Sequence, residues 1–537
     1  MKEFVSLLRQ PDFVYGATDS TILRFEEDVQ ETCPVKYEYK VENGVGKVIV
    51  YPSGEPVKYL KFRFSGDMTS ISSVLNDRWE RSGIHAYIEW RSIMPNRVLP
   101  WYFVAVGGNK TACYGVKTGA NCFAFFQIDT HGVTLFMNLR NGNLGTDLQE
   151  PIVACEVVEL FEENQDVYFT TQRFCKKMCD NPVLPKEPIF GFNNWYWAYG
   201  NIDYDCVIEE AKSVVECAKG CKNRPYMIVD DGWQKNRKGE MGSYIGGPWE
   251  PNEKFKDMKK LCDDVHKIGA KIGVWFRPLL TIDDIPEEMQ FAKESGGIIM
   301  DPSHPETLKK VYEDAKKIRS WGFDLIKHDF TSIDVLGYIV HEKHDLLTLE
   351  NREKPFYDRT KTTAQILKNL YKVIQEGAGD ADVITCNVVG HLSAGISSIH
   401  RVGNDTSGMA WEWTRLDGVN SVMRLPQNYT FFNVDPDCAA FTEKVKNYIN
   451  FDYLEMCAVT GMTTLASVTP KLFGEKEKAE LNRIFRIADE NKSRFYIKDY
   501  LTNSNPEIFA SIDGKEVKKF DWTKCYNGAR IVYEWIE

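Results

Sequence analysis

The chain has 537 residues, 43% hydrophobic and 27% charged, a soluble globular composition on a chain too long for one ordinary core, so two or three domains are expected. Its 66 lysines and arginines stand against 77 aspartates and glutamates, and the net charge of −11 argues against nucleic acid or an anionic membrane as partner. No apolar run approaches a membrane span, the start MKEFVSLLRQPDF has no signal-peptide apolar region, and the fourteen cysteines lack a paired CxxC zinc spacing, so a cytoplasmic protein with reduced thiols is expected.

Residues 1–185 read as an antiparallel β-sandwich domain. Leu60, Phe62 and Phe64 alternate with Lys61 and Arg63, and NCFAFFQIDTHGVTLFMNLRNG places a turn at Thr130–Gly132 between two strands. One run stands apart, VLNDRWERSGIHAYIEW, which gathers Asp77, Trp79, Glu80, Arg81 and Trp90. The simpler reading of that cluster is a core tryptophan beside an ion pair.

Near Pro188 the pattern changes to strands alternating with helices, and this holds over 186–475. A strand in IFGFNNWYW precedes a helix at about 205–219, with Val207, Ala211, Val214 and Ala218 on one side. The strand PYMIVDDGW follows, then a helix over about 253–268 that stops at Gly269, then the strand KIGVWF. Ser303 to Glu306 reads as a capping box, opening a helix that delivers the chain to GFDLIKHD. A helix at about 360–376 leads to DVITCN, and apolar stretches near 396–402, 429–433 and 459–466 complete eight strands. Eight such units favour a closed (β/α)8 TIM barrel. The tail over 476–537, with RFYIKDYL, EIFASIDG and RIVYEWIE, returns to strand periodicity from about residue 475 and suggests a small β domain.

In such a barrel the reacting groups lie at the C-terminal ends of the strands. In GFDLIKHD, alternation puts Lys327 and Asp329 on one side and His328 on the other, a pairing that is either a structural salt bridge or a site. The other strand ends carry Asn193, Asn194 and Trp195; Asp230, Asp231 and Trp233; Trp275 and Arg277; Cys386 and Asn387; and Arg401 with Asp405. Carboxylates and amides hydrogen-bond vicinal hydroxyls while indoles cover the apolar side of a pyranose, so the implied ligand is a sugar. Asp329 and Asp405 are then the candidates for nucleophile and acid/base of glycoside hydrolysis.

The ordered series GFNNW, DDGW, KIGVWF, GFDLIKHD, TCN, RVGND and VDPD, spanning roughly 186–475, resembles the clan of retaining α-galactosidases, glycoside hydrolase families 27 and 36. The WERS element at Trp79–Ser82 is more similar to family 36 and its raffinose-synthase relatives. The resemblance implies Asp329 as nucleophile, Asp405 as acid/base, and sugar contacts from Lys327, Asp230, Asp231, Trp195 and Arg401. It implies an oligosaccharide substrate, no cofactor and no metal, and is compatible with a homo-oligomer. Lys327 would keep Asp329 ionised, whereas Asp405 must hold its proton until the leaving oxygen takes it, so its pKa should lie higher once substrate excludes water. Two departures bear on specificity: Arg277 stands where relatives often carry an acid, and TCNVVGHLSAG leaves Asn387 or His391 near the sugar's 2-substituent. Three other readings stay open beside hydrolysis of an α-galactoside: galactosyl transfer, α-N-acetylgalactosaminidase activity, and sugar binding without catalysis. A divalent-metal hydrolase is less favoured, because His328 faces away from Asp329. The segment Thr331–Arg359, with Tyr338, His341, His344 and Tyr357, is either a lid over the aglycone site or a surface excursion.

Overall fold

A computed structural model describes residues 4–21, 33–81, 88–235, 245–294, 296–337, 355–445, 447–490 and 494–523. The N-terminal part is an antiparallel sandwich. One sheet runs, in spatial order, Phe13–Thr18, Val57–Ser65, Gly132–Asn138, Phe123–Asp129 and Leu99–Pro100. The other runs Tyr37–Glu42, Val45–Val50, Ile152–Glu163, Lys110–Val116, Tyr102–Gly107 and Ser73–Asn76. The expected hairpin pairs Gly132 with Asp129, and Leu60, Phe62 and Phe64 are buried between the sheets, as their period-2 spacing requires. A helix that strand periodicity did not reveal, Val167–Met178, follows the last sandwich strand. Asp166 caps it by accepting from the Tyr168 and Phe169 amides, and its Tyr168, Phe174, Cys175 and Met178 are buried.

The second part is the barrel. Its strands are β1 (Phe190–Asn193), β2 (Tyr226–Val229), β3 (Lys271–Phe276), β4 (Leu325–His328), β5 (Asp382–Thr385), β6 (Ile399–Arg401), β7 (Asn433–Asp435) and β8 (Thr464–Val468). Neighbours from β1 through β7 pair in parallel in sequence order, and β8 pairs with β1. The seventh strand is interrupted at 436–438, where Asp437 takes a positive φ of 67°, and resumes as Ala439–Phe441. Its first piece pairs with β6 and its second with β8, and the Thr463 amide donates to the Val434 carbonyl at 3.0 Å, so the broken strand brings the two sides of the ring together.

Several boundaries differ from the sequence reading. The strand expected at 429–433 begins only at Asn433, because Leu425–Gln427 form a 3-10 turn before it. The stretch 459–466 is divided between a helix, Asn447–Thr460, and β8. The helix Pro305–Ser320 is capped by His304, whose Nδ1 accepts from the Glu306 amide at 3.2 Å. Ser303 instead donates to Asp301 at 2.6 Å, so the capping box is absent there, whereas Thr362 and Gln365 form a true one before Thr363–Ala378. The tail begins with a helix, Glu475–Glu490, which packs on the barrel against Tyr204–Cys217 and Asn447–Thr460. Only then does a three-stranded sheet follow, Phe495–Ile497, Ile508–Ser511 and Val517–Lys519; RIVYEWIE lies outside the described residues. Of the 331–359 segment, Thr331–Leu336 is helical and Phe356 stacks on Phe291 at 4.8 Å, while Tyr357 is exposed; Tyr338, His341 and His344 lie outside the described residues. Among the described residues no helix is long and apolar enough to cross a membrane.

Candidate active site

A cavity opens at the C-terminal ends of the barrel strands. Arg81, Trp195, Tyr196, Asp230, Asp231, Trp275, Lys327, Asp329, Phe330, Cys386, Asn387, Arg401 and Asp405 line it. Of the residues read as catalytic or sugar-binding, Trp195, Asp230, Asp231, Trp275, Lys327, Asp329, Cys386, Asn387, Arg401 and Asp405 therefore converge, and Trp233 does not. That tryptophan is fully buried behind the wall, packed on Trp249 and Trp321, and its indole N–H donates to the Trp275 carbonyl at 2.8 Å. It supports Trp275 and does not line the cavity. The turn that carries it there depends on Gly232, whose φ is +119° and where an added Cβ would stand 2.5 Å from the Gly200 carbonyl oxygen.

Asp329 follows the end of β4 and is held from three directions. The Phe330 amide donates to its Oδ1 at 2.7 Å, the Asn387 side-chain amide to the same oxygen at 2.5 Å, and the Trp275 indole to Oδ2 at 3.1 Å. Both Phe330 (φ 66°) and Asn387 (φ 50°) adopt left-handed backbone geometry, and the Ser332 amide joins the two turns by donating to the Asn387 carbonyl at 2.8 Å. Burial works to raise the Asp329 carboxyl, but Lys327, Arg81 and the Trp275 and Asn387 hydrogen bonds outweigh it, so the group lies below the ordinary aspartate range.

Lys327 shares that inward face, and its ammonium donates to Asp230 Oδ2 at 2.7 Å. Burial alone would lower the lysine; the Asp230 charge more than reverses this and keeps it protonated. The same Asp230 oxygen accepts from Asn193 at 2.8 Å, and Asp231 is oriented by Gln234 at 2.6 Å. His328 faces the opposite way, 6.2 Å from the Tyr371 ring, and burial lowers it to about 4. The alternation read from the sequence thus holds.

Opposite stands Asp405, with 47% of its side chain open to solvent. One oxygen, Oδ1, accepts from Arg401 and from Arg81, each at 2.9 Å. Arg401 also bonds Asp437 at 2.8 Å, and Asp437 accepts from the Tyr196 hydroxyl and the Thr406 amide. Burial pushes Asp405 upward, but Arg81, Arg401 and Lys327 prevail and hold it below the usual range. The two guanidiniums thus stabilise the ionised form of Asp405.

Arg81, Tyr196 and Phe330 complete the lining beyond the residues singled out from sequence. Arg81 was visible only as part of an odd charged pair in an aromatic run, Tyr196 as the middle of WYW, and Phe330 gave no signal. Trp79 is the core residue the simpler reading made it, edge-on to Trp101, Phe123 and Phe125. His391 does not approach the cavity; it stacks on Trp101 at 4.7 Å, and its Nε2 lies 2.9 Å from the Val116 carbonyl. Arg277 is buried against Asp334 and lies 4.3 Å over the Phe330 ring, so it braces a wall residue from behind. Among the described residues no group of three or more histidine, cysteine or acidic side chains is arranged to hold a metal ion.

The chain is thus a (β/α)8 barrel with an N-terminal sandwich and a C-terminal sheet, its mouth lined by carboxylates, an ammonium and indoles. By sequence the chain is similar to curated α-galactosidases, and its fold matches those of solved α-galactosidases, a GH36 member among them. It is 24% identical over 156 residues to α-galactosidase 2 of Arabidopsis thaliana, covering 29% of this chain and 34% of that protein. It is 23% identical over 278 residues to a probable α-galactosidase B of Talaromyces emersonii, covering 47% and 56%. The first of these matches thus spans about a third of the relative's length. In fold, it matches an α-galactosidase of Thermus thermophilus with TM-score 0.60 at 15% identity, covering 90% of this chain and 95% of that one. It also matches a GH36 α-galactosidase of Geobacillus stearothermophilus with TM-score 0.62 at 14% identity, covering 89% and 71%. No family model matches the chain.

Proposed function

We propose that the chain is a retaining glycoside hydrolase that releases terminal α-linked galactose, or a close analogue, from oligosaccharides. The observation that carries this reading is the state of Asp329, a buried carboxylate kept ionised by Lys327 and aimed by three donors at the cavity. That is what a nucleophile at an anomeric carbon requires. The named substrates of similar proteins support the choice of sugar: the Thermus protein was solved with p-nitrophenyl α-D-galactopyranoside and with stachyose.

Asp329 attacks C1 as the C1–O bond to the leaving group breaks, and Asp405, which takes up a proton once bound substrate excludes water, gives that proton to the departing oxygen. This leaves a glycosyl ester on Asp329 and a free alcohol. Asp405, now ionised, takes a proton from water as that water attacks C1, the ester bond breaks, and both aspartates return to their starting forms. Lys327, Asp230 and Asp231 offer a donor and two carboxylates to the ring hydroxyls, Trp195 and Trp275 offer faces to the ring, and Arg401 ties Asp405 to Asp437. The described cysteines are all free, which fits the reducing cytoplasm.

The test is p-nitrophenol release from α-galactoside, α-N-acetylgalactosaminide, β-L-arabinopyranoside and α-glucoside by the wild type and Asp329→Ala. The expected result is an α-galactoside signal that the variant loses while remaining folded. Turnover by Asp329→Ala near the wild-type rate would overturn the assignment of the nucleophile, and no release from any of the four would overturn hydrolysis.

A further inference from the structure

Arg81 belongs to the sandwich part of the chain, yet its guanidinium lies in the barrel mouth. The segment before it is fastened at both ends of its course. Trp79 is locked in the sandwich core, while Asp77 pairs with Arg424 at 2.7 Å and accepts from Gln427 at 2.7 Å. Arg424, at the end of the helix Trp411–Met423, also donates to the Glu80 carbonyl at 2.7 Å and to the Val402 carbonyl at 2.6 Å. Glu80 is buried beneath and accepts from Ser332 at 3.2 Å. A side chain held by such a frame arrives with little freedom left to lose.

Its contact with Asp405 is one-sided. Arg81 and Arg401 both donate to Oδ1, each at 2.9 Å, and the carboxylate is otherwise open. Two donors on one oxygen restrain the rotation of the carboxyl group and leave Oδ2 as the oxygen they do not occupy. Without Arg81 the group keeps a single guanidinium and regains rotational freedom.

We infer that Arg81 is a positioning residue by which the N-terminal sandwich completes the active site, anchoring Oδ1 of Asp405 so that Oδ2 is the oxygen exchanging the proton with the substrate. This rests on the proposed role of Asp405. The groups facing that carboxylate are Arg81, Arg401 and Lys327 as cations, Asp437 as an acid, and the hydroxyls of Tyr196 and Tyr199. Arg81 is therefore one of three cations that favour ionised Asp405, and it acts in the same direction on Asp329. Its loss must raise both aspartates, so both limbs of the pH profile move up together.

The experiment uses the full chain with Arg81→Ala and Arg81→Lys, reading kcat/KM against pH on raffinose and on p-nitrophenyl α-galactoside. Arg81→Ala is expected to lose about 100-fold on raffinose, less on the aryl glycoside whose leaving group needs little protonation, and to shift both limbs upward by about one pH unit. Arg81→Lys is expected to restore the limbs and part of the rate. A rate loss with both limbs unmoved, or no rate loss, overturns the inference. A potentiometric difference titration of wild type against Arg81→Ala reads the same proton without turnover. The variant is expected to take up added protons in the acid range, about half a proton per aspartate at most for a shift of one pH unit, and a further Asp405→Asn substitution should remove the share that belongs to Asp405. Identical titration curves overturn the role of Arg81 even if no glycoside is a substrate, whereas inactivity of the wild type with the difference present counts only against hydrolysis.

Discussion

The Lys327–Asp230 pair offers the sharpest test of how the barrel mouth is held. The two side chains are 10% and 4% exposed and 2.7 Å apart. At an effective dielectric of about 20 the attraction at that distance is about 6 kcal/mol. Desolvation of two ions, several kcal/mol each, offsets most of it, so the pair adds little net stability over an apolar one. Removing one partner is different. Lys327→Met leaves Asp230 as a buried anion whose remaining side-chain donor is Asn193 at 2.8 Å, and this should cost about 3–5 kcal/mol. Asp230→Asn strands the lysine and should cost a comparable amount. The double variant removes both charges and should recover part of the loss, with a coupling energy of about 2 kcal/mol or more. The assay is urea unfolding followed by tryptophan fluorescence, since Trp195 and Trp275 line the site and Trp233 lies behind its wall, together with α-galactoside turnover. Stability should return in the double variant while activity stays absent, because the sugar's hydroxyls have lost their partners. Single variants that cost under about 1 kcal/mol, or a double variant at the plain sum of the singles, would refute the account.

Three further outcomes can be checked on the same protein. Asp405→Ala should slow hydrolysis of natural galactosides far more than that of an activated aryl galactoside, and equal losses on both would remove Asp405 from the acid role. Trp275→Phe deletes one of three donors to Asp329; kcat/KM should fall roughly 10- to 100-fold, matching the ~1.5–3 kcal/mol of a hydrogen bond to a charged group, and the acidic limb should move up. Glu210 is a buried carboxyl that burial pushes up to about 8 against hydrogen bonds from Trp197 and Asn194. Because the folded form binds this proton more tightly than the unfolded chain, the contribution is full below the unfolded pKa and lost as pH rises through about 8. Glu210→Gln, which cannot ionise, should therefore gain on wild type in thermal melts as pH climbs from about 4.5 to 8, and a pH-independent difference would contradict the assignment.

Periodicity alone located the sandwich, the barrel and most of its strands, because burial on one or both faces leaves a pattern of period 2 or an apolar run that any reader of the chain can count. It also fixed which side chains of GFDLIKHD share a face, since alternation along a strand is a local property. The strand ends named ten of the lining residues for the same reason: a closed barrel gathers them whatever its loops do. What local pattern could not decide was depth and partner. Trp233 and Trp275 are both indoles beside barrel strand ends, yet only the packing of Trp249 and Trp321 puts the first behind the wall. The helix Glu475–Glu490 was hidden among polar residues, and its place on the barrel comes from contacts with elements far away in sequence. The protonation state of Asp405 depends on a guanidinium brought from residue 81, 324 positions earlier, and electrostatics acts through space with no trace in the residues around it. Local pattern thus sets the architecture and the residue types that stand at the barrel mouth, whereas the packing of segments distant in the chain sets which of those groups meet and in what charge state.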